Sequence, residues 1–269
     1  MLDDLTTPLD LQDAVLGPVE VAVTADRIAF YVDTTGDDPG RWTDQAPPGF
    51  GSVLLFAVAD LFLYHERVIP FTATLLHLDQ SFEYVAPMRA GSTLVVEGTI
   101  TRVRERSGSY FVTFESSARD GETEVLRSVS TFVLSDESAP PPDEVRPLPP
   151  ARDTSHAPGV RSASRHDLVR YAAATRDFNP LHWDQDVAVA AGLPGPVVHG
   201  LLMYAWLVQE ASAALGGSPV QSAKVRFRSP LFPAEAAEVA IEVDGDTAKV
   251  QLARGSEVLV TGSATVAAG

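Results

Sequence analysis

The chain has no cysteine in its 269 residues. That excludes a disulfide framework, a thiolate nucleophile and any zinc site built on sulfur. Basic residues are scarce: 20 Lys and Arg stand against 36 Asp and Glu, a formal net charge of −16. A protein that grips nucleic acid carries a basic face, so nucleic acid is not an expected partner. Long apolar runs are missing too. The strongest, Val53 to Tyr64, is broken by Asp60 and falls short of the roughly 20 residues a membrane helix requires. Met1-Leu2-Asp3-Asp4 is acidic and lacks the charged-then-apolar plan of a secretory leader, so the expectation is a cytoplasmic protein without a membrane partner. Six histidines, at 65, 77, 156, 166, 182 and 199, are the remaining ligand candidates, and none has a His-Glu-x-x-His neighbourhood. No metal site is expected from them.

What is present is organised by proline and by repetition. Residues 135–158 open with Ser-Asp-Glu-Ser-Ala followed by three prolines, and Pro147, Pro149 and Pro150 come later. Such density stops helices and central strands, so the segment reads as a stiff linker between residues 1–134 and 159–269. The two parts echo one another. Asp26, Phe30, Thr34, Pro39 and Trp42 fall on Asp167, Tyr171, Thr175, Pro180 and Trp183 at a single offset. Phe82 to Met88 falls on Val225 to Leu231, and the apolar run from Gly51 falls on that from Gly200. Three matches in one order indicate a duplication.

Each copy follows one plan. A short helix comes first, announced in the second copy by a capping-box pair, Ser164 and Asp167. A long apolar helix follows, Gly200 to Leu215, closed by Gly216-Gly217 and hydrophobic around most of its girth, so it should be buried. Strand-rich segments such as Tyr110–Glu115 and Val239–Val243 come after, with Asp244-Gly245 as a hairpin signal. Antiparallel strands curled around a buried helix predict an α+β fold in each copy.

Between the two helices of the second copy stands Asp177-Phe178-Asn179-Pro180-Leu181-His182. Asn179-Pro180 favours a turn, which folds a carboxylate and an imidazole toward one another. Such a pair can share a water, the minimum equipment for adding water to a double bond or removing it. On these six residues alone a helix-ending turn with a surface histidine is the simpler interpretation.

The flanking sequence changes that balance. Tyr171 to Leu202, with Asp177-x-Asn179-Pro180-x-His182 and Pro196-Val197-Val198-His199-Gly200-Leu201, resembles the MaoC-like (R)-specific enoyl-CoA hydratases and dehydratases, whose fold is the hotdog. Leu76 to Tyr84 and Arg89-Ala90-Gly91-Ser92 resemble the N-terminal dehydratase-like half of double-hotdog members. The resemblance implies reversible hydration of trans-2-enoyl thioesters to (R)-3-hydroxyacyl thioesters. Its partners would be acyl-CoA or acyl-carrier-protein thioesters, with CoA or phosphopantetheine carried on the substrate and no separate cofactor. A homodimer of such fused chains is compatible with it.

Under that resemblance His182 is the base, Asp177 holds the same water and returns the proton, and the Gly200 N–H is the oxyanion donor at a helix mouth. Asn179 orients the turn, and His199 is a packed or capping neighbour. Some relatives carry a helix serine that assists the site; here Val208 stands near that place and Ser212 one turn on, and the role is not transferred. Lys224, Arg226 and Arg228 alternate along a strand and could meet substrate phosphates, or form a solvated face. In the first copy the offset puts Gly36 opposite Asp177 and Arg41 opposite His182, which predicts a silent site there. A non-catalytic thioester-binding subunit and a hotdog thioesterase are the competing functions.

Overall fold

The structure, a computed structural model, describes residues 2, 3, 5–151 and 159–266. The first half runs β1 (Val15–Ala22), α1 (Ala25–Thr35), α2 (Gly51–Leu63), β2 (Thr74–Tyr84), β3 (Thr93–Arg106), β4 (Ser109–Asp120) and β5 (Thr123–Ser135). The second runs β6 (Val160–Arg161), α3 (Arg165–Thr175), α4 (Gln185–Ala190), α5 (Gly200–Ala214), β7 (Val220–Phe227), β8 (Ala237–Asp244), β9 (Thr247–Arg254) and β10 (Glu257–Val266). All ten strands join one antiparallel sheet in the order β1-β3-β4-β5-β2-β7-β10-β9-β8-β6. Read outward from the central β2–β7 pair, both halves trace the same circuit, so the duplication is legible in the hydrogen bonding.

Burial follows the strand period. Leu94, Val96 and Ile100 of β3 and Val112, Phe114 and Ala118 of β4 point inward, onto α2. Gly98 is the exception among the inward positions of β3: a Cβ there would lie 2.2 Å from the Phe114 ring, so the ring takes the space. The second sheet half wraps α5 in the same way, through β8, β9 and β10. Helices enclosed on all sides can be apolar on all sides. Leu54, Leu55 and Val58 of α2 and Leu201, Tyr204 and Leu207 of α5 are buried accordingly. Truncating one of the leucines to alanine should cost about 2–5 kcal/mol.

The short helices fix the register of the repeat. Thr24 caps α1 by accepting the Arg27 N–H, and Ser164 caps α3 by accepting the Asp167 N–H, completing the expected capping box. Thr35 and Thr175 each turn a hydroxyl onto the carbonyl four residues back, Tyr31 and Tyr171. Gly36 and Arg176 are the left-handed residues ending the two helices, at φ 66° and 71°. This register corrects the alignment read from sequence by one residue: Asp37, not Gly36, stands opposite Asp177. The first copy therefore keeps the acid and has lost one residue from the turn that follows, so that Pro39 and Arg41 still fall on Pro180 and His182.

Of the expected linker, Ser135 belongs to β5, and residues 152–158 lie outside the described residues. Residues 136–151 form neither helix nor strand and strap onto the second half. The Arg146 N–H donates to the Pro194 carbonyl at 2.7 Å, and Gln185 donates to the Arg146 carbonyl at 2.9 Å. Among the described residues no helix is long and apolar enough to cross a membrane.

Candidate active site

The turn after α3 assembles the site. The left-handed Arg176 reverses the chain, and the Asp177 N–H then reaches the Thr175 hydroxyl at 3.3 Å. Asn179 caps the next single turn, its side chain accepting the Leu181 N–H at 3.1 Å, and Pro180 starts that turn. His182 closes it. Its Nε2 stands 3.9 Å from Asp177 Oδ2. That is too long for a direct hydrogen bond and suits one small oxygen held between the two.

The histidine has a defined tautomer. Its Nδ1 lies 2.8 Å from the Val197 carbonyl, which can only accept, so Nδ1 carries the proton and Nε2 keeps its lone pair. Burial pushes the imidazolium pKa down to about 4, against a smaller opposing effect of that carbonyl. Burial pushes Asp177 the other way, up to about 7, with the Asn179 N–H partly opposing it. At neutral pH the imidazole is a free base, and its carboxyl neighbour exists in both protonation states.

His199 occupies the N-cap position of α5 without a side-chain capping bond. Its ring stacks on His182 at 3.5 Å between centroids and 24° between planes. Its Nε2 is 3.3 Å from the Asp177 carbonyl, while Nδ1 is buried without a partner. Burial, then His182, holds it neutral. Asp177, His182 and His199 offer atoms within 4.8 Å of one another. His182 Nδ1 and His199 Nε2 each face a main-chain carbonyl, so both carry a proton and neither is a free metal ligand.

Gly200 opens α5, where a first-turn N–H has no intrahelical acceptor. A Cβ there would press on the Phe227 ring at 3.2–3.4 Å, which gives the glycine a packing reason as well. Asp177, Asn179, His182, Gly200 and Arg228 border a cavity of about 260 Å³, walled largely by apolar side chains. The first half supplies much of that wall through Phe56, Leu63, Tyr64, Leu76, His77 and Phe132.

The expected basic stripe is divided. Arg228 lines the cavity and reaches Thr261 Oγ1 at 3.3 Å. Arg226 instead makes two hydrogen bonds to Asp79, at 2.7 and 2.9 Å, across the β2–β7 seam and away from the cavity. Sequence reasoning assigns no role in the site to Asp60, Tyr64 or His77. The one available sign was Asp60 itself, an acid interrupting an apolar helix.

In the first copy Asp37 survives, half-buried, beside Arg41 and Trp42, but the void there is only about 10 Å³. The Arg41 guanidinium donates to Ser212 Oγ at 2.6 Å and to the Gly217 carbonyl at 3.0 Å. It also covers the Trp42 ring at 4.8 Å. Ser212, considered above beside the second-half site, thus binds at its first-half counterpart.

Residues 140–267 match the MaoC like domain, and residues 14–126 match the FAS1-like, dehydratase domain region. The chain is 26% identical over 235 residues to 3-hydroxyacyl-thioester dehydratase X of Mycobacterium tuberculosis, spanning 84% of this chain and 79% of that protein. It is 28% identical over 176 residues to peroxisomal multifunctional enzyme type 2 of Drosophila melanogaster, spanning 62% of this chain but only 29% of that longer enzyme. The crystal structure of HtdX from Mycobacterium tuberculosis superposes with a TM-score of 0.74 at 22% identity, over 94% of this chain and 100% of that one. A second Mycobacterium tuberculosis protein, described as having a double hotdog fold, gives 0.63 at 14% identity over 98% and 97% of the two chains. Matched in order by the FAS1-like, dehydratase domain region and the MaoC like domain, and sharing its architecture from end to end with these structures, the chain joins two dehydratase-family domains in a double hotdog.

Proposed function

We propose that this protein is a hydro-lyase that adds water reversibly across the double bond of trans-2-enoyl thioesters, giving (R)-3-hydroxyacyl thioesters. The observation that carries the reading is the 3.9 Å gap between His182 Nε2 and Asp177 Oδ2, opening on a cavity beside the N-terminus of α5. A water in that gap donates one hydrogen bond to His182 Nε2 and one to the unprotonated oxygen of Asp177. His182 Nε2 takes its proton as the oxygen bonds to C3, and the π electrons move onto the thioester oxygen. The Gly200 N–H meets that developing charge, an interaction of about 3–4 kcal/mol in comparable sites. Protonated Asp177 then delivers a proton to C2, and the proton on His182 returns the carboxylate to its starting state. Dehydration is the same path reversed. Each acid–base group should contribute roughly 10²–10⁴-fold.

In this reading residues 159–269 carry the chemistry, residues 1–134 are a non-catalytic partner that walls the acyl pocket, and residues 135–158 connect them. CoA or phosphopantetheine enters only as the substrate's handle, and the step needs no other cofactor. Arg228 is the cation best placed to meet that handle. We place the enzyme in the cytoplasm and allow a homodimer within the same proposal. Fractionation and sedimentation test those two points, the first against the peroxisomal and mitochondrial settings named for relatives.

Hydration of crotonyl-CoA and longer enoyl-CoAs, followed by loss of the 2-enoyl absorbance, tests the activity. Turnover only with carrier-linked substrate would reassign the handle. Thiol release from acyl-CoA without hydration would instead identify a thioesterase, and activity only with an added chain would identify a binding subunit.

A further inference from the structure

Asp60 is a carboxylate in the wrong company. It sits on α2 of the first half, among residues that are almost all buried and apolar, and its side chain is only 16% exposed. A buried carboxylate without a partner is costly, so its retention calls for a reason. Its Oδ2 lies 4.0 Å from Arg176 Nε, while Oδ1 is inaccessible and has no hydrogen-bond partner.

Arg176 is equally out of place. It occupies the left-handed region at φ 71°, where its counterpart Gly36 sits at 66°. An L side chain is disfavoured there, and glycine avoids the strain. Arg176 thereby brings a cation to a position where the other turn has none.

The repeat shows what these two substitutions do together. α2 begins at Gly51 and α5 at Gly200, so Asp60 corresponds to Gln209. Gln209 donates its amide to the Thr35 carbonyl at 3.3 Å, tying the end of α1. At the idle turn the pair is thus Gln209 with Gly36; at the working turn it is Asp60 with Arg176. A neutral tether has been exchanged for a charged one at the turn that bears Asp177.

We propose that Asp60, contributed by the first half, is a positioning residue for the catalytic turn, holding Arg176 and through it the adjacent Asp177. The first half then supplies a charge to the site as well as a wall. The groups that face this carboxylate are Arg176 and Asp177 from the turn after α3 and Tyr64 at the C-terminal end of α2. His182 and His199 stand around Asp177, and Arg27 of α1 feels the charge of Arg176. Burial first, then Asp177, pushes Asp60 up to about 7, and Arg176 opposes that. Coupling between two carboxyls is one energy, so each charge disfavours the other.

The inference rests on the hydratase reading only for its kinetic arm. The primary measurement is a carbon-13 titration of the Asp177 carboxyl in the full chain, with Asp60→Asn and Arg176→Gly as variants. Asp60→Asn is nearly isosteric; Asp60→Gln, which copies Gln209, serves if it fails to fold. Loss of the Asp60 charge should lower the Asp177 midpoint by roughly half a unit to one unit, and Arg176→Gly should raise it by a similar amount. The acid limb of kcat/KM should move in the same two directions. Midpoints unmoved in both folded variants would overturn the proposal, whatever the turnover. Opposite midpoint shifts in a protein that hydrates no enoyl thioester would retain the Asp60 link and discard the hydratase reading.

Discussion

Replacing Asp177 with asparagine should make the protein more stable at neutral pH while removing most of its activity. Burial lifts this carboxyl from 3.8 to about 7, roughly three units, and each unit is worth about 1.4 kcal/mol. The sign follows from linkage. A folded-state pKa above the unfolded one gives stability that is complete below about pH 4 and lost as pH rises through about 7. The total loss has a ceiling of about 4 kcal/mol, of which roughly 1–3 should accumulate between about pH 5 and pH 8 once relaxation is allowed for. Asparagine is the same size and carries no charge, so the variant escapes this loss. Urea unfolding of both proteins at the two pH values measures it. The advantage of Asp177→Asn should grow by about 1–3 kcal/mol toward the higher pH, while kcat falls roughly 10²–10⁴-fold. An advantage that stays constant with pH, or shrinks, would refute the burial argument.

Other substitutions separate roles within the site. His182→Ala should lower kcat by roughly 10²–10⁴-fold with an unchanged far-ultraviolet spectrum, because the free base is lost and the fold is not. Arg228→Ala should raise KM for CoA thioesters, whereas Arg226→Ala should leave KM alone and weaken only the seam with Asp79, as steady-state kinetics and melting will show. Gly200→Ala should displace the Phe227 ring and cost about 1–3 kcal/mol, and adding Phe227→Leu should recover part of it in thermal denaturation. Arg41→His should create no second site, because its void is only about 10 Å³; the same variant should lower stability by losing the bonds to Ser212 and Gly217.

Local chemistry is legible in the chain itself. Ser164 with Asp167 announced a cap, Gly216-Gly217 a helix end, and Asp177 through His182 a turn, because each depends on neighbours in sequence. The duplication was readable as well, since both copies answer to one hydrophobic pattern. Its register was not. A single missing residue after Asp37 is invisible to an offset judged from scattered identities, and only the matching left-handed caps reveal it. Long-range choices were equally hidden. Nothing near Arg226 says that Asp79, far away in sequence, will claim it across the β2–β7 pair. The first-half share of the cavity has the same origin, because Tyr64 and Phe132 reach the site only when the two sheet halves join. The stacking of His199 on His182 depends on the entry angle of α5, which packing sets.

The central claim is that His182 and Asp177 together move the protons of water addition in this cavity. Its most direct test is hydration of crotonyl-CoA in deuterium oxide by the wild type and both single variants, with chiral analysis at C3 and mass analysis at C2. The account predicts an (R)-3-hydroxy product carrying one deuterium at C2 from the wild type, and almost none from either folded variant. Wild-type levels of that product from His182→Ala or Asp177→Asn would contradict it.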